Sequence, residues 1–230
     1  VGYEQALEAQ GIYLPAVQYG MIKRLVMKSL EETKAKRLIL LGDVKHEFGG
    51  ALRQEWSETL DLLSSLKRLG LELHVVRGNH DNFLIPMLRR FEVPLHDPYL
   101  MIEDLLFTHG HKELPIDVWG RKPRYVFMGH EHPAIVLRDE LGVKVKMKCF
   151  LRMSLEGEAE LIVLPSISPL MPGTGINVPN PQLLSPLLRG MDPSGTHIYA
   201  VDLESGIYDF GTLDLLIELL MKGSCLRRQG

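Results

Sequence analysis

Cysteine is scarce in this chain, basic charge is not in excess, and no long apolar run is present. The two cysteines, Cys149 and Cys225, show neither metal nor redox spacing. The expected setting is therefore a reduced, intracellular, cytoplasmic one. No run of about 18 apolar residues occurs, so no membrane span is expected. Val1-Gly2-Tyr3-Glu4 has neither a basic region nor an apolar stretch, so no signal peptide is expected there. The formal net charge is −3, from 26 Lys and Arg against 29 Asp and Glu. A dedicated duplex-DNA binder is usually basic, so any nucleic-acid contact has to come from a local patch. What is present is ordinary for a soluble globular protein: 230 residues, 45% hydrophobic and 24% charged. That length supports one sizeable core in one domain rather than two.

The first half of the chain alternates helix and strand. Ile22, Leu25, Val26 and Leu30 recur at helical spacing and predict a helix over 17–34. Residues 37–41 read as a short buried strand stopped by Gly42. Leu52, Trp56, Leu60, Leu63 and Leu66 predict a second helix with Trp56 in the core and Gly70 just beyond its end. A strand over 71–76 follows, then a short helix over 82–91 with Pro86 in its first turn. This β-α-β-α order predicts a mostly parallel sheet. Beyond residue 97 the pattern turns β-rich, with strands expected over 99–107, 125–128, 134–138, 143–151 and 159–164. The run from 134 to 164 reads as antiparallel hairpins, and 165–195 as a long irregular loop. A last hairpin is expected over 196–202 and 206–210, then a helix over 213–221 and a frayed end from Cys225.

Six of the nine histidines fall in four short segments. These are Gly42-Asp43-Val44-Lys45-His46, Gly78-Asn79-His80-Asp81, His109-Gly110-His111 and Gly129-His130-Glu131-His132. Each directly follows an apolar run. In an open α/β sheet, loops beyond the carboxyl ends of parallel strands converge on one crevice. Asp, Asn and His form an oxygen and nitrogen donor set, which suits Mn²⁺, Fe or Zn²⁺ better than a thiolate site does. The glycines let backbone approach a metal or phosphate without a Cβ clash. Two metals about 3.5–4 Å apart can clamp a phosphoryl group. Each segment alone is weak, since Gly-Asp is usually a turn and a single His usually a surface or core residue. All four in this order point to a metal-dependent phosphoryl site.

The same four segments resemble motifs two to five of the calcineurin-like metallophosphoesterases. Three further stretches are similar to an archaeal and bacterial branch that includes the DNA-ligase-associated phosphoesterases and distantly resembles the double-strand-break repair nucleases. They are Gly42-Asp43-Val44-Lys45-His46-Glu47, Gly2-Tyr3-Glu4-Gln5-Ala6-Leu7, and Pro165-Ser166 with Asn177 and Ser185-Pro186-Leu187-Leu188. The resemblance implies that Asp43 bridges two divalent metals, and that Asn79, His109 and His130 complete one site while His132 belongs to the other. It implies that His80 stabilises the transition state or protonates the leaving oxygen, with Asp81 orienting it through a hydrogen bond. Mn²⁺ is the expected metal, with Fe, Zn, Ni and Mg as alternatives. Two departures stand out. His46 sits where many members carry a carboxylate, so it is read as a substrate contact or a support behind the ligands. The family's Asp-x-His motif is absent from the chain, and it would lie just before Val1. One metal site is therefore expected to be depleted, and these 230 residues to form a weak or inactive enzyme.

Lesser features carry two readings each. Arg138, Lys144, Lys146, Lys148 and Arg152 recur at even spacing, as a phosphate-tracking stripe or, preferentially, as the solvated face of a hairpin. Arg121 in Arg121-Lys122-Pro123-Arg124 either steers an anionic substrate or belongs to a plain charged loop. His111 either touches phosphate or is solvated. His74 and His96 read as structural, and Trp119 as packing rather than base stacking. Asn177 and Ser185 belong to the irregular loop and, by resemblance, close over the site.

The combined expectation is an α/β fold, a four-layer α/β/β/α sandwich over residues 1–211, with a C-terminal helix and tail over 212–230. The expected reaction is metal-dependent hydrolysis of a phosphodiester or nucleic-acid end. The alternatives are a scaffold on the same fold, as in the retromer scaffold subunit, and a phosphomonoesterase for a small metabolite. A scaffold has no need of Asn79, His80, His109, His130 and His132 together. The resemblance further admits a homodimer and DNA-repair protein partners.

Overall fold

A computed structural model of the chain describes residues 1–46, 53–138, 141–155 and 159–226, with side chains to Lys222. Leu52 and Glu47, and the tail 227–230, lie outside the described residues. In chain order the elements are α1 (Tyr3–Glu8), α2 (Gln18–Thr33), β1 (Arg37–Leu40), α3 (Arg53–Arg68), β2 (Glu72–Val76), a 3-10 turn (Asp81–Leu84), α4 (Ile85–Arg90), β3 (Leu95–His96), β4 (Tyr99–Ile102) and β5 (Leu105–Thr108). There follow α5 (Ile116–Gly120), β6 (Tyr125–Met128), β7 (Pro133–Arg138), β8 (Lys144–Ser154), β9 (Glu160–Val163), β10 (Thr174–Gly175), β11 (Thr196–Asp202), β12 (Gly206–Thr212) and α6 (Leu213–Leu226).

The chain divides into two compact units. The first comprises Val1–Leu100, Phe107–His109 and Ile167–Leu170. Its sheet is β1-β2-β3, with both pairings parallel, as the alternating order requires. The core is built by one stripe of each neighbouring helix: Leu62, Leu63 and Leu66 of α3, Met87 and Leu88 of α4, and Val26 and Leu30 of α2 against Leu73 and Val75 of β2. Each fully buried leucine here contributes about 1.5–3 kcal/mol by leaving water. Pro86 stands in the first turn of α4, where its missing N–H costs nothing. Gly70 follows α3 at φ 69, the left-handed conformation expected just past a helix.

The second unit comprises Met101–Leu106, Gly110–Ser166 and Met171–Gly230. Among the described residues its strands belong to a nine-stranded sheet in the order β10-β7-β8-β9-β6-β5-β4, with β11 joining β8 and β12 joining β11. Strand β8 is long because it serves three partners. Its first half pairs antiparallel with β7, and its second half with β9 and β11. Strands β6 and β9 pair in parallel. The observed structure is thus a mixed α/β fold with one parallel sheet and one large mixed sheet.

Several local expectations change. Residues 99–107 form two strands rather than one, because the chain turns at Glu103 with φ 54. Trp56 is 39% exposed instead of buried. The buried face of α3 is Glu55, Thr59, Leu62, Leu63, Ser65 and Leu66, and Trp56 lies one position off that stripe. The last helix continues through Cys225 to Leu226 rather than fraying. Helices α1 and α5 and strand β3 escaped the sequence reading, being too short for a period to declare itself.

Candidate metal centre

In the first unit, Asp43 stands three residues beyond the end of β1 and Asn79 three beyond the end of β2. Parallel pairing puts both carboxyl ends on the same edge, so the two loops meet. They meet closely. A Cβ on Gly42 would stand 2.6 Å from the Gly78 nitrogen and 2.7 Å from His109 Nδ1. A Cβ on Gly78 would run into Asp43. Glycine is therefore a steric requirement at both places, and Gly42 also adopts φ 85. Asp43 itself sits at φ 51, an uncommon conformation for a residue with a side chain.

Asp81 braces this crossing. Its carboxylate is fully buried. Oδ2 accepts the backbone N–H groups of Asp43 (2.7 Å) and Gly78 (2.8 Å), and Oδ1 accepts that of Val44 (3.0 Å). Burial pushes the Asp81 carboxyl above the usual carboxylate range, against the pull of the Gly78 N–H. Asp43 goes the other way: burial opposes ionisation, but His109 and His80 outweigh it and bring its pKa down to about 2. Replacing Asp81 by alanine strands three backbone donors at once. We expect a loss of at least about 3 kcal/mol in urea unfolding, since each buried unpaired donor costs about 1–3 kcal/mol. A loss below about 1 kcal/mol would show that water repairs the crossing.

His109 follows β5 and is 1% exposed. Its Nδ1 bonds the Leu41 carbonyl at 2.5 Å, and a carbonyl only accepts, so the proton is on Nδ1. Nε2 then faces two oxygens, Asn79 Oδ1 at 3.2 Å and Asp43 Oδ2 at 3.3 Å. A nitrogen lone pair and two oxygen lone pairs do not converge favourably unless a positive charge lies among them. Burial depresses the His109 pKa, but Asp43 overrides it and the net shift is upward. The same three atoms are a nitrogen and oxygen donor set of the kind divalent transition metals take, so these residues fit a metal.

His80 lies beside them. Its N–H donates to Asp43 Oδ1 at 3.0 Å, and its Nε2 is 3.8 Å from Asp43 Oδ2. Its Nδ1 donates to the His46 carbonyl. The His46 ring stacks on the His80 ring with centroids 5.5 Å apart and meets Tyr3 edge-on at 4.3 Å. So Asp43, His46, Asn79, His80, Asp81 and His109 come together within one unit.

In the second unit, His130 (φ 60) and His132 (φ 50) follow β6, again in the left-handed region. Left-handed backbone on either side of Glu131 bends the loop that carries the two motif histidines. The His111 and His130 rings lie 6.0 Å apart, edge to face. Between the two motif histidines, Glu131 is fully buried, and its Oε2 accepts the N–H groups of Leu184 (2.8 Å) and Ser185 (3.0 Å). Ser185 is also fully buried and donates from Oγ to the Gly110 carbonyl at 2.7 Å. The late loop is thereby tied to two motif loops. Glu131 was invisible as a support in sequence, where a loop glutamate reads as solvated. Asn177 pairs with both backbone groups of Val136, at 2.7 and 2.9 Å, and so braces the edge of β7.

The basic stripe is largely exposed, and several of its heads bond groups of their own unit. Lys146 donates to the Gly173 carbonyl (2.9 Å), Lys148 to the Ser166 carbonyl (2.7 Å), and Arg152 grips Glu160 through two bonds of 2.7 and 2.9 Å. Burial lowers the Lys148 pKa to about 8. These heads bond the sheet and the carbonyls of Ser166 and Gly173, which agrees with the structural alternative more than with phosphate tracking. His74 and His96 pair at 3.1 Å, and His74 also meets Glu72 at 2.9 Å. Arg121 is exposed.

The profile of the calcineurin-like phosphoesterases matches residues 16–134, just over half of the chain. The chain belongs to that family. This phosphoesterase is accordingly a hydrolase of phosphoric esters from a metal-dependent family. No curated protein sequence matches it. Among solved structures it is similar to the Pseudomonas putida nuclease MPE, at 20% identity and a TM-score of 0.57 over 81% of this chain and 78% of that one. At that identity the likeness speaks for the fold. The E. coli phosphoesterase Yfce (18% identity, TM-score 0.44, 83% and 90% covered) and an archaeal phosphodiesterase (14%, 0.41, 83% and 91%) are more distant. Among the described residues, no helix is long and apolar enough to cross a membrane.

Proposed function

We propose that this phosphoesterase hydrolyses phosphodiesters, at nucleic-acid ends or in nucleotides, using a two-metal centre with Mn²⁺ as the working ion. Residues 1–211 form the catalytic domain of this reading. Asp43, Asn79, His109, His130 and His132 would hold the metal in this reading. The observation that carries it is the convergence of Asp43 Oδ2 and Asn79 Oδ1 on His109 Nε2 at 3.3 and 3.2 Å. The left-handed backbone of Asp43, His130 and His132 supports it, because strain is tolerated where function needs it. The fold shared with a nuclease supports the diester class.

A bound divalent cation supplies Lewis acidity toward the phosphoryl oxygens. The chain's own residues do the rest. Leu41 fixes the tautomer of His109, and so leaves Nε2 as its donor atom. Asp81 and the glycine crossing hold Asp43 and Asn79 in register. His80, with Nδ1–H committed to the His46 carbonyl, presents Nε2 as the atom that, when the ring is an imidazolium, gives a proton to the leaving oxygen and is left neutral with its proton on Nδ1.

The deciding measurement compares bis-p-nitrophenyl phosphate with p-nitrophenyl phosphate in Mn²⁺. We expect kcat/KM for the diester to exceed that for the monoester by about tenfold or more, a difference of about 1.4 kcal/mol in transition-state binding. A monoester preference of that size would overturn the diester assignment and move the protein to small phosphorylated metabolites.

A further inference from the structure

The geometry points to Glu55 as a positioning residue for His80, acting through residue 46 and balanced by the buried cation Lys45. This rests on the reading of His80 as the proton donor. Glu55 lies in the first turn of α3 and is fully buried, as is Lys45. Glu55 Oε1 accepts the N–H of His46 at 2.6 Å. The carbonyl of the same residue accepts His80 Nδ1–H. Residue 46 is thus held at one end by Glu55 and holds the His80 ring at the other.

Two observations show that Glu55 is aimed rather than merely enclosed. Its stem is clamped by the backbone of Gly2, where a Cβ would stand 2.5 Å from Glu55 Cβ and 2.6 Å from its Cγ. Lys45 Nζ lies 4.0 Å from Glu55 Oε2 and 5.7 Å from the Phe83 ring centroid, which supplies compensating charge and a π face. Burying an ion pair costs desolvation that its attraction only partly repays, so the pair by itself is weak evidence of a stabilising role. A leucine would fill this face of α3 more cheaply, but it would offer His46 no acceptor.

The consequence is chemical. While residue 46 stays in place, the neutral His80 ring carries its proton on Nδ1, and Nε2 faces the Asp43 side. If residue 46 shifts, that tautomer loses the carbonyl that favours it and Nε2 is no longer aimed.

The test uses the full chain and two double variants. Lys45→Met/Glu55→Met removes the acceptor and both charges at nearly constant volume. Lys45→Met/Glu55→Gln removes both charges but keeps an acceptor oxygen. The His80 ring nitrogens are read by ¹⁵N NMR in metal-free protein, and kcat and KM are read on bis-p-nitrophenyl phosphate with Mn²⁺. In the methionine variant we expect the Nδ1–H tautomer to give way to a mixture, with kcat down about tenfold or more and KM within about twofold, inside the range a positioned acid supplies. The glutamine variant should recover the tautomer and most of kcat. Persistence of the pure Nδ1–H tautomer in the methionine variant would overturn the assignment. If that variant does not fold, Lys45→Met/Glu55→Leu takes its place in the same comparison. The tautomer is read without turnover, so an inactive phosphoesterase would count against the proposed function and not against the role of Glu55.

Discussion

Replacing Asp43 by alanine is expected to reduce Mn²⁺-stimulated phosphodiester hydrolysis to the metal-free background, a fall on the order of 10³-fold or more. Two interactions and a negative charge disappear together. Asp43 Oδ2 lies 3.3 Å from His109 Nε2, its Oδ1 accepts the His80 N–H at 3.0 Å, and its pKa of about 2 keeps it anionic throughout any practical assay. No neighbour can replace it, because the nearby Asp81 already spends its oxygens on three backbone donors. Titration calorimetry with Mn²⁺ should show the loss directly. Asp43→Asn separates charge from shape, since the amide can still accept the His80 N–H. If that variant folds like the parent but binds Mn²⁺ as tightly, Asp43 is not a ligand.

The second large effect is expected at His80. Alanine there should lower kcat by roughly 10²–10⁴-fold, the usual worth of a positioned acid or base. KM should stay within about threefold, and the Mn²⁺ isotherm should be unchanged, because in the proposed reading His80 serves the proton transfer and is not a metal ligand. The arrangement behind this is one-sided. Nδ1 is tied to the His46 carbonyl and the ring lies against that of His46, so only Nε2 can serve a substrate. A weakened Mn²⁺ isotherm with kcat retained at saturating metal would instead place His80 among the ligands.

Much of this was legible in sequence for definite physical reasons. Helix α2, strands β1 and β2 and the hairpin β11-β12 carry long or regular apolar patterns, and their bounds came out within a few residues. The motif segments were legible because glycine, asparagine and histidine together directly after a strand have no local conformational reason to occur. Trp56 misled because period counting assigns faces only to within about one residue step of 100°. Glu103 misled because a turn at φ 54 without glycine leaves no composition signal.

Supports were harder to see than ligands. Glu131 and Ser185 act through backbone N–H and C=O groups 53 to 75 residues away in the chain, and Glu55 through an N–H nine residues away. Backbone groups are the same at every position, so nothing in the partner's identity betrays the bond.

By itself the sequence determined the chemical inventory: a nitrogen and oxygen donor set, placed directly after strands, in a chain without thiolate sites or apolar spans. Local patterning decided the alternating first half and the β-rich second half, because burial periodicity is written along the chain. Only the tertiary structure decided which donors meet, that two glycines let the Asp43 and Asn79 loops touch, and that Glu55 and Asp81 hold them from behind. Those outcomes depend on distances between residues 9 to 68 apart in the chain, such as His46 to Glu55 and Leu41 to His109, and packing fixes them where local propensity cannot.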